Sequence, residues 1–127
     1  MDNHKVYEYA VIRVVPRVER GEFVNVGVIL FCKDLKYTGI ILKQDKPRWQ
    51  ALFGDINCKT IKANLDAFAA IAKGEYSAGP IAQLDDGSRF RWLTARRSTI
   101  IQCSAVHPGL TIDPEATLKS LFSQLVD

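Results

Sequence analysis

The chain has 127 residues, 47% hydrophobic and 24% charged, with a formal net charge of +3 and a pI near 8.8. That length suits one domain over 1–127 with a hydrophobic core of its own, and the balanced composition argues against a disordered or fibrous chain. The scattered Lys and Arg excess permits nucleic acid without indicating it. The polar start, Met1 to Lys5, leads directly into a β pattern, and no apolar run nears the ~18 residues of a membrane span, which predicts a cytoplasmic protein without a membrane partner.

From Lys5 to Val15 two sets of residues alternate: Val6, Ala10, Ile12 and Val14 against Tyr7, Tyr9, Val11, Arg13 and Val15. This period of two in β-branched and aromatic residues predicts a strand buried on most of both faces. Pro16 withholds a ladder donor and Glu19-Arg20-Gly21 supplies a turn, so the second β-rich run, Phe23 to Cys32, folds back as a long hairpin. Lys33 to Lys36 is too short for a parallel crossover, and Tyr37 to Leu42 continues as an antiparallel meander.

Asp45 and Pro47 open a short helix carrying Trp49, Leu52 and Phe53 and closed by Gly54. Asn57 caps a longer helix whose Ile61, Leu65, Phe68, Ile71 and Ala72 share one face, with Gly74 at its stop. Glu75 to Ser88 reads as a long loop with turns at Gly79-Pro80 and Asp85-Asp86-Gly87. Phe90 to Leu93 and Thr99 to Cys103 read as short strands and His107-Pro108-Gly109 as a turn. Asp113-Pro114 starts a last helix with the stripe Leu118, Leu121, Phe122, Leu125 and Val126. The expected fold is α+β: an antiparallel sheet of four to five strands beginning with the N-terminal hairpin and meander, the two longer helices on one face and the short helix as a lid.

Several chemistries lack their residues. Cys32, Cys58 and Cys103 are odd in number and widely spaced, which predicts reduced, mostly buried thiols; a nucleophilic Cys103 four residues before His107 is the alternative. His4 and His107 have no clustered carboxylates to make a metal set, and no glycine loop joins a strand to a helix to cradle phosphate, so no cofactor is expected. A Ser104–His107–Asp113 triad would lack the glycine pattern of a nucleophile elbow.

Three constellations remain. Asn25 and Gly27 interrupt an apolar strand, and period two puts them with Phe23 on one face, where a hairpin register brings Arg13 beside Asn25. A buried Arg needs a partner, and Glu22 is the nearest acid. Arg13, Glu22 and Asn25 read either as a recognition site beside Gly27 or as a structural network with a bulge at Gly27. Arg96, Arg97, Ser98, Thr99, Gln102, Ser104 and His107 read as an anion- or partner-binding ridge or as a solvated rim. Phe90 and Trp92, interleaved with Arg89, Arg91, Arg96 and Arg97, read as a stacking platform for nucleic acid or as core with a basic rim.

The run Tyr7-Glu8-Tyr9, Arg13, Pro16, Glu22 and Asn25-Val26-Gly27-Val28, with Trp92-Leu93, Arg97-Ser98-Thr99, Gln102, Ser104 and Val106-His107-Pro108-Gly109-Leu110, resembles the bacterial domain of unknown function 3037 family over nearly the full length. The resemblance supplies no activity and no catalytic residue. It implies a bacterial cytoplasmic protein, often encoded beside a kinase-like protein similar to the HipA toxins, and hence a partner subunit. The expectation is a non-enzymatic protein–protein interaction or accessory module, antitoxin-like toward a HipA-like kinase, binding through Arg13, Glu22, Asn25, Arg97, Ser98, Gln102, Ser104 and His107. The alternative is nucleic-acid binding or processing through Arg89, Arg91, Trp92, Arg96 and Arg97. Oligomeric state is left open.

Overall fold

A computed structural model describes residues 3–127; Met1 and Asp2, the start of the polar N-terminal segment, lie outside the described residues. The chain forms an antiparallel five-stranded sheet from β1 (Lys5–Val14), β2 (Val24–Cys32), β3 (Tyr37–Leu42), β4 (Ile101–Cys103) and β5 (His107–Thr111). β1 is central. It pairs along its length with β2, while its other edge takes β5 beside Lys5 to Tyr9 and β4 beside Ile12 to Val14. β3 completes the meander on the far edge of β2. Four α-helices pack on this sheet: α1 (Lys46–Phe53), α2 (Cys58–Ala72), α3 (Asp86–Thr94) and α4 (Pro114–Leu125).

A β-bulge in β2 organises both cores. Arg13 faces Asn25, as the hairpin predicts, but Ile12 faces Gly27, so Val26 is an extra residue on β2. An extra residue reverses which face each later side chain meets. Before the bulge Val24 and Val26, and after it Ile29 and Phe31, join Ile12 and Val14 in the larger core beneath α1, α2 and α3. Val28, Leu30 and Cys32 turn to the opposite face, where Leu118 and Val126 of the α4 segment cover them. The expectation that Asn25 and Gly27 share a face is therefore corrected. So is the expectation that α2 and α4 cover one face: the switch in β2 creates a second apolar face, which needs its own helix.

The helix caps follow the sequence. Asp45, Asn57 and Asp113 accept backbone N–H bonds from Arg48, Thr60 and Ala116 at 3.0–3.1 Å. Asp85 does the same for Ser88, and this overturns the reading of Asp85-Asp86-Gly87 as a turn and of Phe90 to Leu93 as a strand. The segment is α3; Phe90 and Leu93, three apart, enter the core on one helical face, and Phe90 stacks on Phe31 at 5.5 Å. His107-Pro108-Gly109 is likewise not a turn but the start of β5. Pro108 is compatible with a strand because β5 lies at the sheet edge. No helix among the described residues is long and apolar enough to cross a membrane.

Candidate functional site

The α4 side of the sheet carries the odd-numbered residues of β1. Tyr7 and Tyr9 abut the smaller core, and Arg13 follows two positions beyond buried Val11. Cross-strand pairing sets Asn25 on one side of Arg13 and Gln102 on the other. The three polar side chains thus form a row across β2, β1 and β4, all half-buried. α4 packs mainly on β2 and β3, so the row lies where helical cover runs out.

Within the row, bonding is incomplete. Asn25 Nδ2 donates to the Leu125 carbonyl at 3.0 Å and pins the end of α4 to β2, while its Oδ1 is buried without a donor. Arg13 Nε is buried without an acceptor, and its guanidinium lies 4.2 Å from the centre of the Phe23 ring. No carboxylate among the described residues lies within ion-pair distance of Arg13. Glu22, expected as its partner, pairs instead with Arg20 at 2.9 Å on the exposed hairpin end. Only Gly21 separates the two residues in the chain. Gln102 donates to the Thr99 carbonyl at 2.9 Å.

Further along β1 the same face continues through Ser104 and His107. Ser104 is buried; its Oγ accepts from Val11 N at 2.8 Å and donates to the Ala105 carbonyl at 2.9 Å, bridging the gap between β4 and β5. His107 is exposed and its ring meets Tyr9 at 5.4 Å. Tyr9 and Phe23 belong to this surface but were not among the candidate site residues. Their signal was present, because Tyr9 alternates in phase with Arg13 and Phe23 with Asn25.

Arg97 lies apart from that row. Its guanidinium sits 4.2 Å from the Trp92 ring centre and donates to the Trp92 carbonyl, closing the end of α3. Beside it a hollow of about 230 Å³ opens between α2, α3 and β4, with Asn64, Thr99, Gln102 and Cys103 in its wall. Gln102 is the residue common to this hollow and the row. Ser98 is exposed in the loop leading to β4. The nucleic-acid constellation is divided: Arg89 is buried, ion-paired with Asp86 and bonded to the Leu84 carbonyl, and Phe90 is core, leaving Arg91, Trp92 and Arg96 exposed at the α3 end.

The catalytic alternatives are not assembled. Burial pushes the Cys103 thiol up to about 12, against the pull of Arg97 and Arg13, and its Sγ donates to the Leu93 carbonyl at 3.6 Å. Cys103 packs with the larger core whereas His107 faces the α4 side. Asp113 is occupied as the α4 cap. Among the described residues no three His, Cys, Asp or Glu side chains gather as a metal set. No curated protein and no solved structure matches the chain. A family model does, over residues 9–126, and by that match the chain belongs to the family described as Protein of unknown function (DUF3037).

Proposed function

We propose that the protein is a non-enzymatic interaction module that holds an acidic segment of a protein partner against the α4 side of its sheet, in the cytoplasm, with a HipA-like kinase as that partner. The observation that carries this reading is Arg13, a half-buried residue with a buried, unpartnered Nε and no carboxylate among the described residues within ion-pair distance. A buried guanidinium N–H without an acceptor is costly, and a partner carboxylate would supply the missing bond in bidentate form with a second guanidinium N–H. Asn25 Oδ1, equally unpartnered, and Gln102 flank that position and favour a backbone or amide group beside the carboxylate. The kinase enters through the gene neighbourhood that the family resemblance implies.

The test is co-expression with the neighbouring kinase, followed by affinity measurement and kinase assay. Co-elution is expected, with Arg13→Met weakening the complex at least about tenfold, the loss of one charge-assisted pair at a half-buried position. Met keeps an apolar stem over Phe23, so the variant separates binding from folding. A lone chain that leaves kinase activity unchanged would overturn the proposal.

A second reading rests on the exposed Trp92 capped by Arg97, with Arg91 and Arg96 nearby. It is nucleic-acid binding by base stacking with a basic rim. Single-stranded oligonucleotide binding that falls steeply with salt and is lost in Trp92→Ala would support it; no binding at low salt would remove it.

A further inference from the structure

On the side of the sheet covered by α1, α2 and α3, opposite Arg13, the starts of α1 and α2 frame a hollow of about 450 Å³ lined by Gln44, Lys46, Trp49, Cys58, Lys59 and Lys62. Its floor is apolar: Trp49 is 2% exposed and Cys58 buried, both members of the larger core. Its rim is cationic, and no acidic side chain lines it. Lys62 is held by Asp66 at 2.7 Å. Lys46 and Lys59 have no carboxylate among the described residues within ion-pair distance.

Helix electrostatics make this arrangement costly to the fold. Lys46 and Lys59 sit in the first turns of α1 and α2, which contain no acidic residue. The positive end of a helix dipole disfavours a cation there and favours an anion. Asp45 offsets this at α1 through its cap, but α2 is capped only by the neutral Asn57. The Trp49 side chain is almost wholly buried, and its indole N–H, which still reaches the surface, donates to no described residue. With no partner in the fold, that N–H is free to donate to an acceptor.

We propose that the α1–α2 hollow binds a small amphiphilic anion. Its aromatic or aliphatic body rests on Trp49 and Cys58, and its carboxylate, sulfonate or phosphate group lies between Lys46 and Lys59. The volume falls within the ~300–1,000 Å³ of small-molecule sites, which the hollow beside Arg97 does not reach. The site is independent of the Arg13 row, which occupies the opposite side of the sheet.

The experiment uses the full chain carrying Trp92→Phe, which leaves Trp49 as the single tryptophan. Three probes are titrated: anilinonaphthalene sulfonate, phenylnaphthylamine, which has the same aryl frame without the charge, and inorganic phosphate. The sulfonate is expected to bind one equivalent and quench Trp49. Lys46→Gln and Lys59→Gln should each weaken it about five- to tenfold, with circular dichroism unchanged because both lysines are exposed. Phenylnaphthylamine should bind more weakly and ignore the lysine substitutions. Equal affinity for the charged and uncharged dyes, an unchanged affinity in the double lysine variant, or unmoved Trp49 emission would overturn the proposal. Inorganic phosphate displacing the dye at equal affinity would overturn the apolar half of it.

Discussion

Arg13 and Cys103 lie near one another on adjacent strands and show opposite solutions to a polar group in a β-sheet. Arg13 stacks its guanidinium on the exposed Phe23 ring and leaves only its Nε buried without an acceptor. Cys103 gives up ionisation. Burial raises its thiol from the ordinary 9.0 to about 12, outweighing Arg97 and Arg13. The sign for stability follows: the folded state retains a proton that the unfolded chain releases above about pH 9, so stability falls as pH rises from there toward about 12. Between pH 8 and 10.5 the wild type should lose about 2 kcal/mol more than Cys103→Ala, at ~1.4 kcal/mol per unit beyond the unfolded value. Urea melts of both proteins at the two pH values measure this. Tyr7 and Tyr37, raised chiefly by burial, add alkaline destabilisation to both proteins and cancel in the difference. Equal losses would mean that Cys103 titrates as readily folded as unfolded.

At the scale of elements, the β2 bulge decides more than any single cap. Gly27 has an ordinary backbone conformation, so its requirement is space: a Cβ there would stand 2.5 Å from the Ile41 carbonyl oxygen and 2.6 Å from Leu42 Cδ2. The first of these is backbone of β3 and cannot swing away. Gly27→Ala should therefore destabilise the protein by about 2–4 kcal/mol, the scale of overpacking that forces a strand to move. A urea midpoint within error of the wild type would show that β3 can shift at no cost. The pairing of Arg13 with Asn25 was legible in the sequence because it lies between the turn and the bulge, where period two still counts correctly. The face of Gly27 was not, since one extra residue changes every later side without leaving a mark in composition. α3 was hidden for a related reason: Asp85-Asp86-Gly87 has turn chemistry, and what makes Asp85 a cap is that the chain goes on as helix, with Arg89 N donating to the Asp85 carbonyl at 3.0 Å. The three caps that were legible each precede a long apolar stripe or a proline in the first turn. α3 is short and mixes arginines into its apolar positions.

At the scale of the whole molecule, the sheet is unevenly secured, and the binding groups lie across that gradient. β1 is paired on both edges, and Ala10, Ile12 and Val14 are 0% exposed. β5 is paired on one edge only, with Leu110 62% and Ile112 64% exposed beside it. Local opening free energy follows buried apolar contact and two-sided hydrogen bonding. Native-state hydrogen exchange should thus find the slowest amides in Ala10 to Val14 and Val28 to Phe31, and faster exchange in β5 than in any other strand. Uniform protection across the five strands would contradict the gradient. If it holds, Arg13 and Asn25 stand on the most rigid part of the sheet while His107 stands on its loosest strand. A partner would then meet a preorganised polar anchor with an adaptable edge beside it, and most of the ordering cost of binding would fall on β5 rather than on the charge that recognises the partner.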